Sequence, residues 1–155
     1  MQTGRQLFDD YGAYHRDRRN LVCHEIGIPL IVLGIIALLR LVTLPVVWSQ
    51  PHDLAAVAVL VTAVYYLFLG GAGRGVIWAA FVAIGAMFVL YTLAAYVTWP
   101  FAIGAFVVGW IFQFVGHAYE GKSPAFLTNL LHLLVGPLWV ASHLVPKSVS
   151  SSSAR

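Results

Sequence analysis

The stretch from Ile26 to Leu44, IGIPLIVLGIIALLRLVTL, carries one charge, Arg40, in an otherwise apolar run. About 20 such residues cross a hydrocarbon core about 30 Å thick, so this run reads as a membrane span whose Arg40 snorkels toward the far interface. Working outward, further spans are expected at Leu54 to Leu69, Val76 to Val97, Phe101 to Tyr119 and Ala125 to Val145. The polar or turn-rich links are Pro45 to Asp53, Gly70 to Gly75 (GGAGRG), Thr98 to Pro100 and Glu120 to Pro124 (EGKSP). Between Ile26 and Gly116 the only charged side chains are Arg40, Asp53 and Arg74. The whole chain is 60% apolar and 10% charged, against roughly 25% charged in a soluble domain. Water cannot solvate that much apolar surface. The expectation is an all-α, polytopic membrane helical bundle of about five hydrophobic segments. Gly136-Pro137 interrupts the fifth, so four full spans plus a re-entrant hairpin is the alternative.

Residues 1–146 fit a single membrane-embedded catalytic domain, and Lys147 to Arg155 (KSVSSSSAR) reads as a disordered tail. Leu7, Tyr11, Tyr14 and Arg18 fall at helical spacing, which predicts an N-terminal interfacial helix bending near Asp17 to Asn20. Net charge is +3, and Arg5, Arg16, Arg18 and Arg19 precede the first span. That excess is the positive flank of a span and not a nucleic-acid surface. With Arg74 and Lys122 on the same side, the N-terminus is expected to be cytoplasmic, in a bacterial inner membrane or, in a eukaryote, the endoplasmic reticulum. Cys23 stands alone, so no internal disulfide forms.

With this topology His15, His24, His117 and His132 approach one membrane face, accompanied by Tyr14, Asn20, Glu25, Gln113, Glu120 and Asn129. Ionisable groups at membrane depth are costly unless paired or functional. A lone interfacial histidine is usually a tolerated amphipathic side chain, and His52 and His143 are read so. Convergence from three stretches calls for more, and imidazoles suit Zn, Fe, Cu or Ni. Glu120, one turn from His117, is open as ligand, outer partner or solvated group. Gln113, Asn129, Asn20, Tyr14 and Glu25 are available as hydrogen-bonding partners to ligating rings. Cys23 reads as an apolar filler.

Tyr14-His15, Asn20, His24 and Pro29 form a Y-H-x4-N-x3-H-x4-P pattern. Gly109 to Pro124 reads GWIFQFVGHAYEGKSP, followed by Ala125, Asn129-Leu130, His132 and Gly136-Pro137. Together these resemble the membrane family of the yeast 2-hydroxy fatty acid dioxygenase, over about residues 5 to 145. The resemblance implies an iron(II)-dependent enzyme that uses O2 to shorten 2-hydroxy long-chain fatty acids by one carbon, in fatty acid α-oxidation. His15, His24 and His117 match the family's motif positions and are the catalytic and metal-binding candidates; His132 joins the metal set from topology alone. The expected partners are a long-chain 2-hydroxy fatty acid, O2 and the lipid bilayer, with Fe(2+) as cofactor. Arg16, Arg18 or Arg19 could neutralise the substrate carboxylate.

Three other readings stay open. An all-histidine site also suits zinc and hydrolysis. Two histidines could serve as axial ligands of a haem. A transporter or scaffold is the non-enzymatic alternative, although transport sites sit near the midplane with internal repeats, and neither is evident here.

Overall fold

The computed structural model describes residues 6, 11–12, 17–47, 50–71, 74–121, 124 and 132–145. Its elements are α1 (Arg18–Leu39), β1 (Thr43–Val47), β2 (Gln50–Asp53), α2 (Leu54–Gly70), α3 (Arg74–Ala94), α4 (Trp99–Glu120) and α5 (His132–His143). Apart from one two-stranded ribbon, the described fold is helical. Three helical stretches are long and apolar enough to cross a membrane: Arg18–Leu39, Val76–Ala94 and Trp99–Glu120; Leu54–Gly70 is apolar but shorter. The described part of the fifth segment has 12 residues, a rise of about 18 Å at 1.5 Å per residue. The remainder of that segment, most of the residues expected to form an N-terminal interfacial helix, and the tail lie outside the described residues.

Helix α1 begins eight residues before the apolar run, because Asp17 caps it. The backbone of Asp17 is extended (φ −74°, ψ 128°) and its carboxylate accepts from the Arg19 N–H, satisfying one of the donors a helix start leaves over. The bend expected near Asp17 to Asn20 is therefore at Asp17. Asp53 caps α2 in the same way, through the Ala56 N–H. Helix α4 starts with Pro100 in its first turn and ends on Gly121, whose φ of 66° is the left-handed conformation that suits glycine.

The link expected as a short polar connection between the first two segments is an antiparallel ribbon, pairing Thr43 with Asp53 and Leu44 with His52. Pro45 and Pro51 argue against strands in sequence. In a two-stranded ribbon both strands are edges, and an edge strand tolerates proline. Arg40 does more than snorkel. It stacks on the Tyr91 ring (4.4 Å), donates to the Tyr91 carbonyl (3.3 Å) and lies 3.7 Å from the Asp53 carboxylate. Tyr91 Oη in turn donates to Asp53 (2.9 Å), so the three tie the ends of α1, α2 and α3 together.

The most extensive helix contact is between α1 and α4, and it rests on small residues. A Cβ on Gly27 would lie 2.8 Å from the Gly109 carbonyl oxygen, one on Gly34 would lie 2.7 Å from that of Ala102, and one on Gly116 would lie 2.5 Å from Asn20 Oδ1. The pairs run in opposite directions at seven-residue steps on both helices, so α1 and α4 are antiparallel. A seven-residue repeat keeps one seam facing its partner, and small side chains let two backbones approach closely where lipid supplies no hydrophobic drive. A second core joins α2, α3 and α5 through Tyr66, Leu69, Ala79, Ala80, Ala83, Met87, Leu138 and Ala141. Between these two packed units, where α1 meets α2 and α5 only sparsely, a cavity remains.

Candidate active site

The α1–α4 seam delivers polar groups into one end of the fold. Asn20 and His24 are one turn apart on α1, while Gln113, His117 and Glu120 stand a turn apart along α4. The antiparallel register sets the two groups side by side. Exposures are 0% for Asn20, 1% for His24, 6% for Gln113, 5% for His117 and 6% for His132. Burying this much polar surface is costly unless it is organised.

Much of it is organised. The His24 and His117 rings meet edge to face, with centroids 4.9 Å apart and planes at 87°. His24 Nδ1 lies 3.0 Å from the Asn20 carbonyl oxygen. A carbonyl only accepts, so Nδ1 carries the proton of this bond, which leaves the lone pair on Nε2 when the ring is neutral. That is the tautomer a metal-binding imidazole needs, held by a backbone acceptor. Glu120 Oε2 accepts from the Asp17 N–H (2.8 Å) and from Asn20 Nδ2 (3.1 Å), joining the start of α1 to the end of α4. Glu120 thus ties together the two helices that carry the histidines. Arg19 is engaged with Asp17 (2.9 Å) and stacks on Tyr119 (4.5 Å). Its hydrogen bonds hold the Asp17 carboxyl below the ordinary carboxylate range.

The cavity encloses about 340 Å³ and has two unlike ends. Tyr11, His24, Gln113, His117 and His132 line one end, and Ile36, Leu39, Ala58, Val59 and Met87 lie toward the other. Small-molecule sites commonly fall at about 300–1,000 Å³, apolar with a few convergent polar groups. Gln113 Nε2 is buried there without a hydrogen-bond partner among the described residues. An unsatisfied buried donor costs about 1–3 kcal/mol, and a bound oxygen would relieve it.

The family described as 2-hydroxy-palmitic acid dioxygenase Mpo1-like matches residues 1–148. The chain belongs to the Mpo1-like family. Over 131 residues it is 30% identical to the 2-hydroxy-palmitic acid dioxygenase MPO1 of Saccharomyces cerevisiae, covering 81% of this chain and 69% of the yeast protein. No solved structure matches.

In this Mpo1-like chain, His24, His117 and His132 line one cavity, and Asn20, Gln113 and Glu120 surround the paired rings. His15, Tyr14 and Asn129 lie outside the described residues. Among the described residues no three His, Cys, Asp or Glu side chains are grouped closely enough to hold a metal ion. Glu25 is exposed. His143 bonds its own helix at the Trp139 carbonyl and packs on the Trp139 ring at 4.3 Å. Cys23 is buried on the small-residue seam, a filler as its size suggests.

Sequence reasoning missed Tyr11, which reads as one member of an interfacial stripe. It is 5% exposed, sits edge-on to His132 (6.0 Å) and packs on Trp139 (5.4 Å). Burial pushes its phenol well above the ordinary value of 10.0, so it stays a protonated donor. The cavity itself was also invisible, since it arises from which helices fail to touch.

Proposed function

We propose that this protein is a membrane-embedded, iron(II)-dependent dioxygenase that shortens 2-hydroxy long-chain fatty acids by one carbon. The observation that carries the reading is the two-ended cavity, with two paired, buried imidazoles at its polar end and apolar side chains along its length. A 2-hydroxy fatty acid has the same division, an oxygen-rich head on an apolar tail. The yeast relative, a 2-hydroxy-palmitic acid dioxygenase by name, supplies the substrate class and the use of O2.

The donor set suits iron. His24 has the tautomer that leaves Nε2 basic, and His117 lies against it. On this reading His15 would be the third nitrogen ligand, and His132, which lines the same cavity, a further candidate. When bound, iron would supply Lewis acidity and the one-electron steps that O2 requires. The remaining work falls to the chain. Asn20 and Glu120 hold the two histidine-bearing helices in register. Gln113 Nε2 donates to an oxygen of the substrate head, and Tyr11 offers a hydroxyl at the same end. Ile28, Ile31 and Val32 exclude water from the acyl chain, whose burial contributes about 0.8 kcal/mol per methylene.

The test is oxygen uptake by the purified full chain in lipid nanodiscs, supplied with iron(II) and 2-hydroxypalmitic acid. Uptake matched by appearance of the acyl product one carbon shorter supports the reading. Absence of both, with the acid bound or unbound, overturns it.

A further inference from the structure

The far end of the cavity carries features that neither ligating histidines nor head-group chemistry explains. From His24 to Leu39 the cavity follows α1 along its wall, about 22 Å at 1.5 Å rise per residue. Helix α2 runs back from the ribbon, so Ala58 and Val59 meet the cavity near Leu39, while Thr62 and Tyr66 meet it nearer the head. Met87 of α3 completes this end and is buried. Immediately beyond stands the Arg40–Asp53–Tyr91 network, with Arg40 next in sequence to Leu39 and Tyr91 one turn past Met87. Ile36, Ala37, Ala55 and Ala94 pack into the adjoining core. The apolar part of the cavity thus runs toward a cross-linked junction of three helix ends.

We infer that this junction closes the cavity and makes it a ruler for acyl chain length, with Ala58 and Met87 setting where the terminal methyl stops. The inference rests on the proposed function and extends it to specificity. Ala58 is the small side chain in the stop, and Met87 is the large one. Filling the position of the first shortens the usable channel. Trimming the second lengthens it. Each methylene that loses its place forfeits burial worth about fourfold in affinity, so two lost methylenes weaken binding by more than about tenfold.

The experiment uses the full chain in nanodiscs and measures thermal protection as 2-hydroxypalmitic and 2-hydroxydecanoic acids are titrated. The ratio of the two half-maximal concentrations is the readout, because a ligand stabilises in proportion to its affinity for the folded state. Oxygen uptake is recorded beside it. The native chain should favour the longer acid. Ala58→Phe should reduce that preference about tenfold, and Met87→Ala, titrated in the same way with 2-hydroxyicosanoic against 2-hydroxypalmitic acid, should favour the longer acid about tenfold more than the native chain does. If Ala58→Phe fails to assemble, Met87→Ala carries the test alone. An unchanged ratio in the variants, with oxygen uptake intact in the native chain, overturns the ruler and leaves the proposed function standing. No protection and no oxygen uptake with either acid overturns both.

Discussion

The α1–α4 seam can be tested at one atom. In Gly109→Ala the new Cβ would lie 2.7 Å from the Gly27 carbonyl oxygen, 2.7 Å from Ile31 Cγ1 and 2.9 Å from Ile31 N. Two of these three are backbone atoms and cannot rotate away. Ordinary carbon contacts begin near 3.5 Å, so the helices must part by about 0.8 Å, and a gap of that size forfeits a quarter to a half of each contact along the seam. Overpacking of this kind costs about 1–3 kcal/mol. Gly104 on the same helix is the control, since a Cβ there meets nothing within 4 Å. Its replacement by alanine should gain about 0.5–1 kcal/mol from helix propensity alone. Thermal unfolding followed by circular dichroism in nanodiscs should therefore move in opposite directions for the two variants. Equal stability of Gly109→Ala and Gly104→Ala would refute the close seam, and with it the reason His24 and His117 meet.

Glu120→Ala removes the acceptor of the Asp17 N–H and Asn20 amide bonds. It should lower stability by about 1–3 kcal/mol, and an unfolding midpoint unchanged from the native chain would contradict the role given to Glu120. Gln113→Leu should not lower the unfolding temperature, because Nε2 has no partner to lose among the described residues. It should raise KM for 2-hydroxypalmitic acid by about two- to tenfold, the value of one hydrogen bond; an unchanged KM removes Gln113 from substrate binding. Asp17 has its folded pKa lowered below 3.8 by Arg19, so its stabilising effect is complete above that value and fades as pH falls through the lower, folded value. Unfolding scans from pH 6 downward should show an acid decline that Asp17→Asn flattens, and an identical decline in both would count against the cap.

The sequence made the helical elements legible for a simple reason: the long apolar helices lack charge in their interiors, and charges gather where helices end. The second segment, expected over Leu54 to Leu69, is found at Leu54–Gly70. Hydropathy fails where helix and apolar run differ. Helix α1 starts at Arg18 because a cap decides the start, and Asp17 with Arg19 at its first turn looks like a polar linker to a hydropathy window. The ribbon was hidden by its prolines. The Arg40–Asp53–Tyr91 network was hidden because its members are far apart in sequence and each has an interfacial explanation of its own. The meeting of His24 with His117 followed from topology, whereas the reason for it was present but unread. Asn20, Gly27 and Gly34 against Gly116, Gly109 and Ala102 is a seven-residue pattern of small groups on two segments. Hydropathy treats those glycines as gaps in an apolar run, when they are what allows the approach.

Iron content of the purified protein addresses the central claim most directly. Elemental analysis of the native chain, expressed with iron and zinc both supplied, should find about one iron per chain. His24→Ala and His117→Ala should each lose it while still folding into helices by circular dichroism. A native chain that oxidises 2-hydroxypalmitic acid with no iron bound, or variants that keep their iron, would contradict a metal held between these two helices.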